Sequence, residues 1–234
     1  MTDFHSHVLP NIDDGSRSVE ESLAMLRMLA DDGISTVYAT PHFDATRTSP
    51  DRFFELRRQS YEMLKPHLSE GLPELRLGAE VSYYSGVSRM EKLFSMCLEG
   101  TKLLLLEMPM EPWSGYTVDE VLSIARSNSV RPLIAHAERY LKYQPRSVVD
   151  RFLSHGVLLQ ANASYFTRFF TSRTAIRLLR AEKIHLIGSD CHGIHHRPPK
   201  MAAALEKIER VLGPRAKEML RERGRSLSLE TYSK

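Results

Sequence analysis

Seven short apolar, β-branched runs, at residues 2–8, 34–40, 75–81, 102–108, 131–137, 156–161 and 184–188, alternate with stretches of helical periodicity. Consecutive parallel strands need a crossover, whereas antiparallel ones close with a tight turn. No pair of neighbouring runs reads as a hairpin, so the chain is expected to build a parallel sheet. The intervening segments carry helix signals. Ser18 with Glu21 reads as a capping box ended by Gly33, Ser49-Pro50 puts proline at a first helical position, and Thr117 with Glu120 reads as a second box. Further helices are expected at 147–154, 172–183, 199–212 and 214–223. Seven βα units predict an α/β fold of the distorted TIM-like (βα)7 barrel type, an eight-unit barrel short of one unit. An open doubly wound sheet is the alternative. With 42% hydrophobic residues over 234, and roughly 250 typical of such barrels, one domain spanning 1–234 is expected, with a loosely held polar tail from 224.

Metal-ligand residue types sit where these strands run out. His5 and His7 close the first run, and two residues apart on an extended strand they face the same side. His42 follows the second, Glu80 ends the third, Glu107 the fourth and His136 the fifth, while Asp190 and His192 follow the seventh; Asp14 lies in the loop after the first. Active sites of barrels and open α/β sheets form beyond the carboxyl ends of their strands. A single histidine near a strand is more often a hydrogen-bonded structural residue, but six strand ends out of seven describe a metalloenzyme mouth. His67 and His155 fall at helix ends, and His185 begins its strand, so none of the three joins the set. Imidazole and carboxylate without thiolate suit manganese, iron, cobalt or zinc better than magnesium or calcium.

Composition narrows the field further. The net charge of +3 is spread without a dense Lys/Arg block, which argues against a nucleic-acid or membrane surface. Two cysteines, Cys97 and Cys191, do not make a disulfide framework, and no apolar run approaches the ~20 residues of a membrane span. With no charged-then-apolar leader before His5, a soluble cytoplasmic protein is expected.

The motifs His5-Ser6-His7, Asp13-Asp14-Gly15, Thr40-Pro41-His42, Gly78-Ala79-Glu80, His136-Ala137-Glu138-Arg139-Tyr140, Ser189-Asp190-Cys191-His192 and Arg197-Pro198-Pro199 resemble the polymerase and histidinol phosphatase (PHP) superfamily. Within it the chain is most similar to the bacterial tyrosine-protein phosphatases of the CpsB/CapC type, from residue 1 to about 212. That resemblance implies a (βα)7 barrel with a three-metal cluster at its carboxyl end, manganese or iron being favoured, and two to three ions per chain are expected. The implied ligands are His5, His7, Asp14, His42, Glu80, Glu107, His136, Asp190 and His192. Spacing does not separate Asp14 from Asp13, and Glu138 is a carboxylate that competes with Glu107. Arg139 and Arg197, each within a few residues of a ligand, are expected to fork onto phosphoryl oxygens. Trp113, in the loop after Glu107, either walls the substrate ring or anchors the loop.

The implied activity is a metal-dependent phosphomonoesterase, with a hydroxide held by the metals attacking phosphotyrosine on a protein, such as the tail of a bacterial tyrosine autokinase that governs capsule or exopolysaccharide export. A small-molecule phosphatase acting on histidinol phosphate, and a non-catalytic phosphoprotein-binding module, are the alternatives. Cys191 to Arg197 also matches C-x5-R, the spacing of cysteine-dependent tyrosine phosphatases. Cys191 would face away from the site, however, and the loop between is bulky where a phosphate cradle needs small residues, so the match is read as coincidence.

Overall fold

The computed structural model describes residues 1–127 and 129–228. Nine strands appear in place of seven runs: β1 Thr2–Ser6, β2 Thr36–Ala39, β3 His42–Phe43, β4 Glu74–Leu77, β5 Glu80–Ser82, β6 Leu103–Glu107, β7 Arg131–Ile134, β8 Leu158–Asn162 and β9 Leu186–Gly188. The third run breaks in two, and a short extra strand, β3, forms just past the end of the second. At Thr40-Pro41 the proline has no N–H for the ladder. At Gly78-Ala79 the missing side chain admits Leu98, whose Cδ2 would lie 2.6 Å from a Cβ on Gly78. The backbone bonds Gly78 N→Ala39 O and Glu80 N→Pro41 O carry the chain across both breaks. His42 and Glu80 therefore open short strands of their own.

Every strand pairing is parallel, in the orders β1-β2-β4 and β3-β5-β6-β7-β8-β9. Beyond β9, Asp190 N donates to His5 O and His7 N to Cys191 O, so β1 is bonded to the segment leaving β9. One apolar cluster, including Phe4, Tyr38, Leu103, Leu105, Leu133, Leu158 and Leu186, draws on strands of both sheets, with Leu227 packed into it. The alternate residues Leu104 and Leu106 pack instead with Val118, Val121 and Leu122 of helix α3. This division is why the fourth run reads as unbroken leucine: both of its faces are covered.

The helices that return the chain are α1 Val19–Asp31, α2 Pro50–Leu64, α3 Gly115–Arg126, α4 Arg146–Ser154, α5 Ala163–Thr167, α6 Ser172–Arg180, α7 Met201–Leu212 and α8 Pro214–Ser228. Ser18 caps α1 and Ser49 caps α2 with Pro50 in the first turn, as expected. The third cap is not. Ser114, not Thr117, caps α3, accepting from Thr117 N, and Glu120 leaves the helix end to accept from Tyr83 Oη and Gly86 N. Within the tail expected from 224, residues 224–228 continue α8, Gly224 lies against Phe4 and Leu227 is buried. The rest of that tail, 229–234, lies outside the described residues. Among the described residues no helix is long and apolar enough to cross a membrane.

Candidate metal centre

Parallel pairing brings the carboxyl ends of the strands to one rim, and the nine candidate ligands gather there. Glu80, fully buried at the start of β5, lies at the middle. Its Oε2 is 3.1 Å from His5 Nε2, 3.3 Å from His7 Nε2 and 3.0 Å from His42 Nδ1, and its Oε1 is 2.8 Å from His136 Nε2. Glu107 Oε1 stands 3.5 Å from the same His136 nitrogen. Asp14 Oδ1 lies 3.3 Å from His42 Nε2 and 3.4 Å from His192 Nε2, while Asp190 Oδ1 is 3.6 Å from His5 Nε2 and 3.7 Å from His7 Nε2. Three overlapping sets of donor atoms result, each with its atoms within 4.8 Å of one another: His7, Asp14, His42 and His192; His5, His7 and Asp190; and His42, Glu80 and Glu107.

The surrounding polar residues decide which ring nitrogens face inward. Asp13 Oδ2 lies 2.7 Å from His7 Nδ1, Gln160 Oε1 lies 3.3 Å from His5 Nδ1, and Tyr140 Oη lies 3.0 Å from His136 Nδ1. Each of these oxygens accepts readily from an Nδ1–H, which leaves Nε2 with its lone pair toward the centre. That is how metal-bound imidazoles are held. Gly15 makes the Asp13 contact reachable, since a Cβ there would collide with His7 O and lie 2.5 Å from His7 Cβ. Gly188 does the same for His5, whose Cβ would be 2.6 Å away. His136 and Asp190 take positive φ, 30° and 51°, a conformation that costs side-chain-bearing residues energy and is typical of functional sites.

The electrostatics point to missing positive charge. Among the described residues two buried polar atoms, Glu80 Oε2 and His192 Nε2, have no hydrogen-bond partner. Burial opposes charging His7 and His136, yet the carboxylates of Asp13 and Glu80 raise His7 to about 9, and those of Glu107 and Glu80 raise His136 to about 9. Burial likewise works against ionised Glu80, but the surrounding imidazoles hold it well below the usual carboxylate range. His192 goes the other way, to about 4, through burial and the neighbouring His7 and Arg197. A buried carboxylate ringed by imidazole nitrogens at 3.0–3.3 Å, with two imidazoles retaining protons far above their ordinary range, is a donor set suited to cations that would displace those protons. The residues fit a metal cluster.

The flanking residues sort as follows. Asp13 buttresses His7 and also accepts from His42 N, whereas Asp14 presents its carboxylate to two ring nitrogens. Glu138 accepts weakly from Asn162 N, belongs to none of the three donor sets and is pushed up to about 7 by burial. Arg139 and Arg197 both reach Asp190 Oδ2, at 2.6 and 2.5 Å. Trp113 stacks on Phe152 with centroids 5.5 Å apart and donates its indole N–H to Pro109 O, the contacts of a loop anchor. Cys191 is fully buried in the apolar cluster outside the strands, and burial raises its thiol well above the ordinary range, so no thiolate is available. His185 sits at the start of β9, accepting from Leu159 N, away from the centre.

Gln160 and Asn162 were not singled out from sequence, and Tyr140 entered only as part of the motif that begins at His136. Asn162 Nδ2 donates to Asp190 Oδ2 at 2.6 Å, and Gln160 accepts from His136 N as well as facing His5. Their signal was present. The sixth run alone ends without a ligand, and polar Gln160 and Asn162 alternate where the other strands turn to metal-binding types.

The profile of a family described as capsular polysaccharide synthesis, CpsB/CapC, matches residues 1–226. The tyrosine-protein phosphatase CpsB of Streptococcus agalactiae serotype III is 27% identical over 248 aligned residues, covering 99% of this chain and all of that protein. Tyrosine-protein phosphatase YwqE of Bacillus subtilis is 27% identical over 95% of this chain and 89% of its own length. A chain among the crystal structures of Bacillus subtilis YwqE and Streptococcus pneumoniae CpsB, described as unique metal-dependent tyrosine phosphatases, superposes with a TM-score of 0.84 at 26% identity, covering 99% of this chain and 96% of its own. Rim geometry, full-length similarity and shared architecture agree: this chain belongs to the CpsB/CapC family.

Proposed function

We propose that this chain is a metal-dependent phosphomonoesterase that removes phosphate from phosphotyrosine on a protein. The observation that carries the reading is the convergence of eight imidazole and carboxylate side chains into three overlapping donor sets, with His136 Nε2 2.8 Å from Glu80 Oε1 beside them and two guanidinium groups fixed on their edge. His5, His7, Asp14, His42, Glu80, Glu107, His136, Asp190 and His192 are the ligands, for two to three ions, of which manganese suits the mixed donors well. Divalent ions bound there supply an activated water and neutralise charge on the phosphoryl oxygens.

The chain's own residues do the rest. Asp13, Gln160 and Tyr140 hold His7, His5 and His136 in one tautomer and orientation. Asp190 and Asn162 keep Arg139 and Arg197 beside the donor sets, where guanidinium forks match the equatorial oxygens of a phosphoryl group in transfer. A phenolate leaves with little help from a general acid, its pKa being near ~10. The thiol of Cys191 takes no part. A (βα)7 barrel in one domain goes with this reading, supported by β3 continuing β2, β5 continuing β4, and the backbone bonds between β1 and the segment leaving β9. Family membership supports a phosphorylated bacterial tyrosine autokinase as partner, and a cytoplasmic location goes with it.

The test is a substrate panel on protein of defined metal content, comparing phosphotyrosine peptide, phosphoserine peptide and histidinol phosphate. Chelation should abolish turnover and manganese restore it, with kcat/KM highest for the phosphotyrosine peptide. Equal rates on all three, or full activity in chelator with no metal by elemental analysis, would overturn the reading.

A further inference from the structure

Beside the donor sets lies a cavity of about 140 Å³, walled by α5, the loop after β9 and the segment entering α7. Its lining carries four cations, Arg139, Arg168, Arg197 and Lys200, against two carboxylates, Glu138 and Asp190. Arg139 and Arg197 are committed to Asp190. Arg168 and Lys200 are not: among the described residues neither side chain has an ion-pair or hydrogen-bond partner, and both are exposed. Nothing in the donor sets uses them.

We propose that Arg168 and Lys200 form a subsite for the carboxylate of an aspartate or glutamate flanking the phosphotyrosine. The inference rests on the phosphatase reading and adds to it a substrate class, acidic phosphotyrosine sequences. Size and chemistry both bear on it. A cavity of this volume accepts about one small group, comparable to a benzene-sized void. An apolar ring in it would make no use of the two exposed cations, whereas a carboxylate meets both with charge-assisted hydrogen bonds. The wall shared with Asp190, Arg139 and Arg197 places that second anion next to the one whose phosphate is removed, which is where a neighbouring side chain of the same peptide reaches.

The experiment compares kcat/KM on phosphotyrosine peptides that differ only in the flanking residues, Asp, Asn or Lys, using the manganese-loaded full chain. Exposed charge pairs are worth little each, so the Asp peptide should exceed the Asn peptide by roughly 3- to 10-fold, with the Lys peptide slowest. The ratio should shrink toward unity as salt is raised. Arg168→Gln combined with Lys200→Gln should erase the preference, and Arg168→Glu should move it toward the Lys peptide, an inversion that misfolding cannot mimic. Brisk turnover of all three peptides at one rate, or a preference that survives the double variant, would overturn the subsite while leaving the phosphatase reading intact. Failure to hydrolyse any phosphotyrosine peptide would overturn both.

Discussion

Asp13→Asn isolates orientation from ligation. Asp13 accepts three hydrogen bonds, from His7 Nδ1 at 2.7 Å, Gly15 N at 2.9 Å and His42 N at 3.1 Å, the first and third on Oδ2 and the second on Oδ1. Asparagine keeps one acceptor. If its oxygen takes the Oδ2 place, its NH2 faces the donor of Gly15; if it takes the Oδ1 place, the NH2 faces His7 and His42. Either way a donor meets a donor, and His7 loses the carboxylate that fixes its Nδ1–H. Loss of such an outer partner lowers metal affinity or activity by roughly 10- to 100-fold, or about 1.4–2.8 kcal/mol. Titration of chelator-stripped protein with manganese, read by calorimetry and by recovered phosphotyrosine-peptide turnover, measures it. Asp14→Asn, which removes a proposed ligand, should instead lower the number of ions retained after dialysis. An Asp13→Asn protein whose manganese affinity and kcat/KM stay within 2-fold of wild type would refute the orienting role.

Cys191→Ser should retain most activity, because the thiol is buried on the far side of its strand segment and stays protonated; loss of turnover at unchanged metal content would revive cysteine chemistry. Arg139→Ala and Arg197→Ala should each keep the metal complement, since Asp190 retains Asn162 and the other arginine, while kcat/KM falls roughly 10²–10³-fold. Lysine at either position should restore only part of that, lacking the planar fork, and wild-type kinetics in both alanine variants would remove the arginines from the mechanism. In chelated protein, His7 and His136 rise to about 9 from roughly 6.5 in the unfolded chain. Their stabilising contribution is complete below about pH 6.5 and is lost as pH climbs through 9, so the Tm of the chelated protein should fall across that window. A Tm that rises there would contradict the charge assignment.

Much of the fold was legible because its signals are local. The unbroken leucines at 103–106, capping serines at 18 and 49 and the stop at Gly33 depend on neighbours within a few residues, so they survive reading in one dimension. Where a local signal had two local solutions, sequence chose wrongly: Ser114 and Thr117 both suit a cap, and only the demand of Tyr83 and Gly86 for Glu120 decided between them. The break at Gly78-Ala79 was likewise hidden, since the apolar run continues in composition while the ladder does not, and the short strand at His42–Phe43 lay past the run that ended at Thr40.

Ligand types at strand ends were readable for the same local reason, for a parallel sheet sends all those ends to one rim whatever its closure. What tertiary structure alone decided is which atom of each candidate ligand faces the middle of the donor sets. His5 is oriented by Gln160, 155 residues away, Asp190 is braced by Asn162 and two arginines, and the choice of Asp14 over Asp13 as the inward carboxylate comes from Gly15 bringing the loop onto His7. A ring nitrogen's direction is set by the hydrogen bond on its other side, and that partner exists only once β1, β8 and the segment beyond β9 have come together.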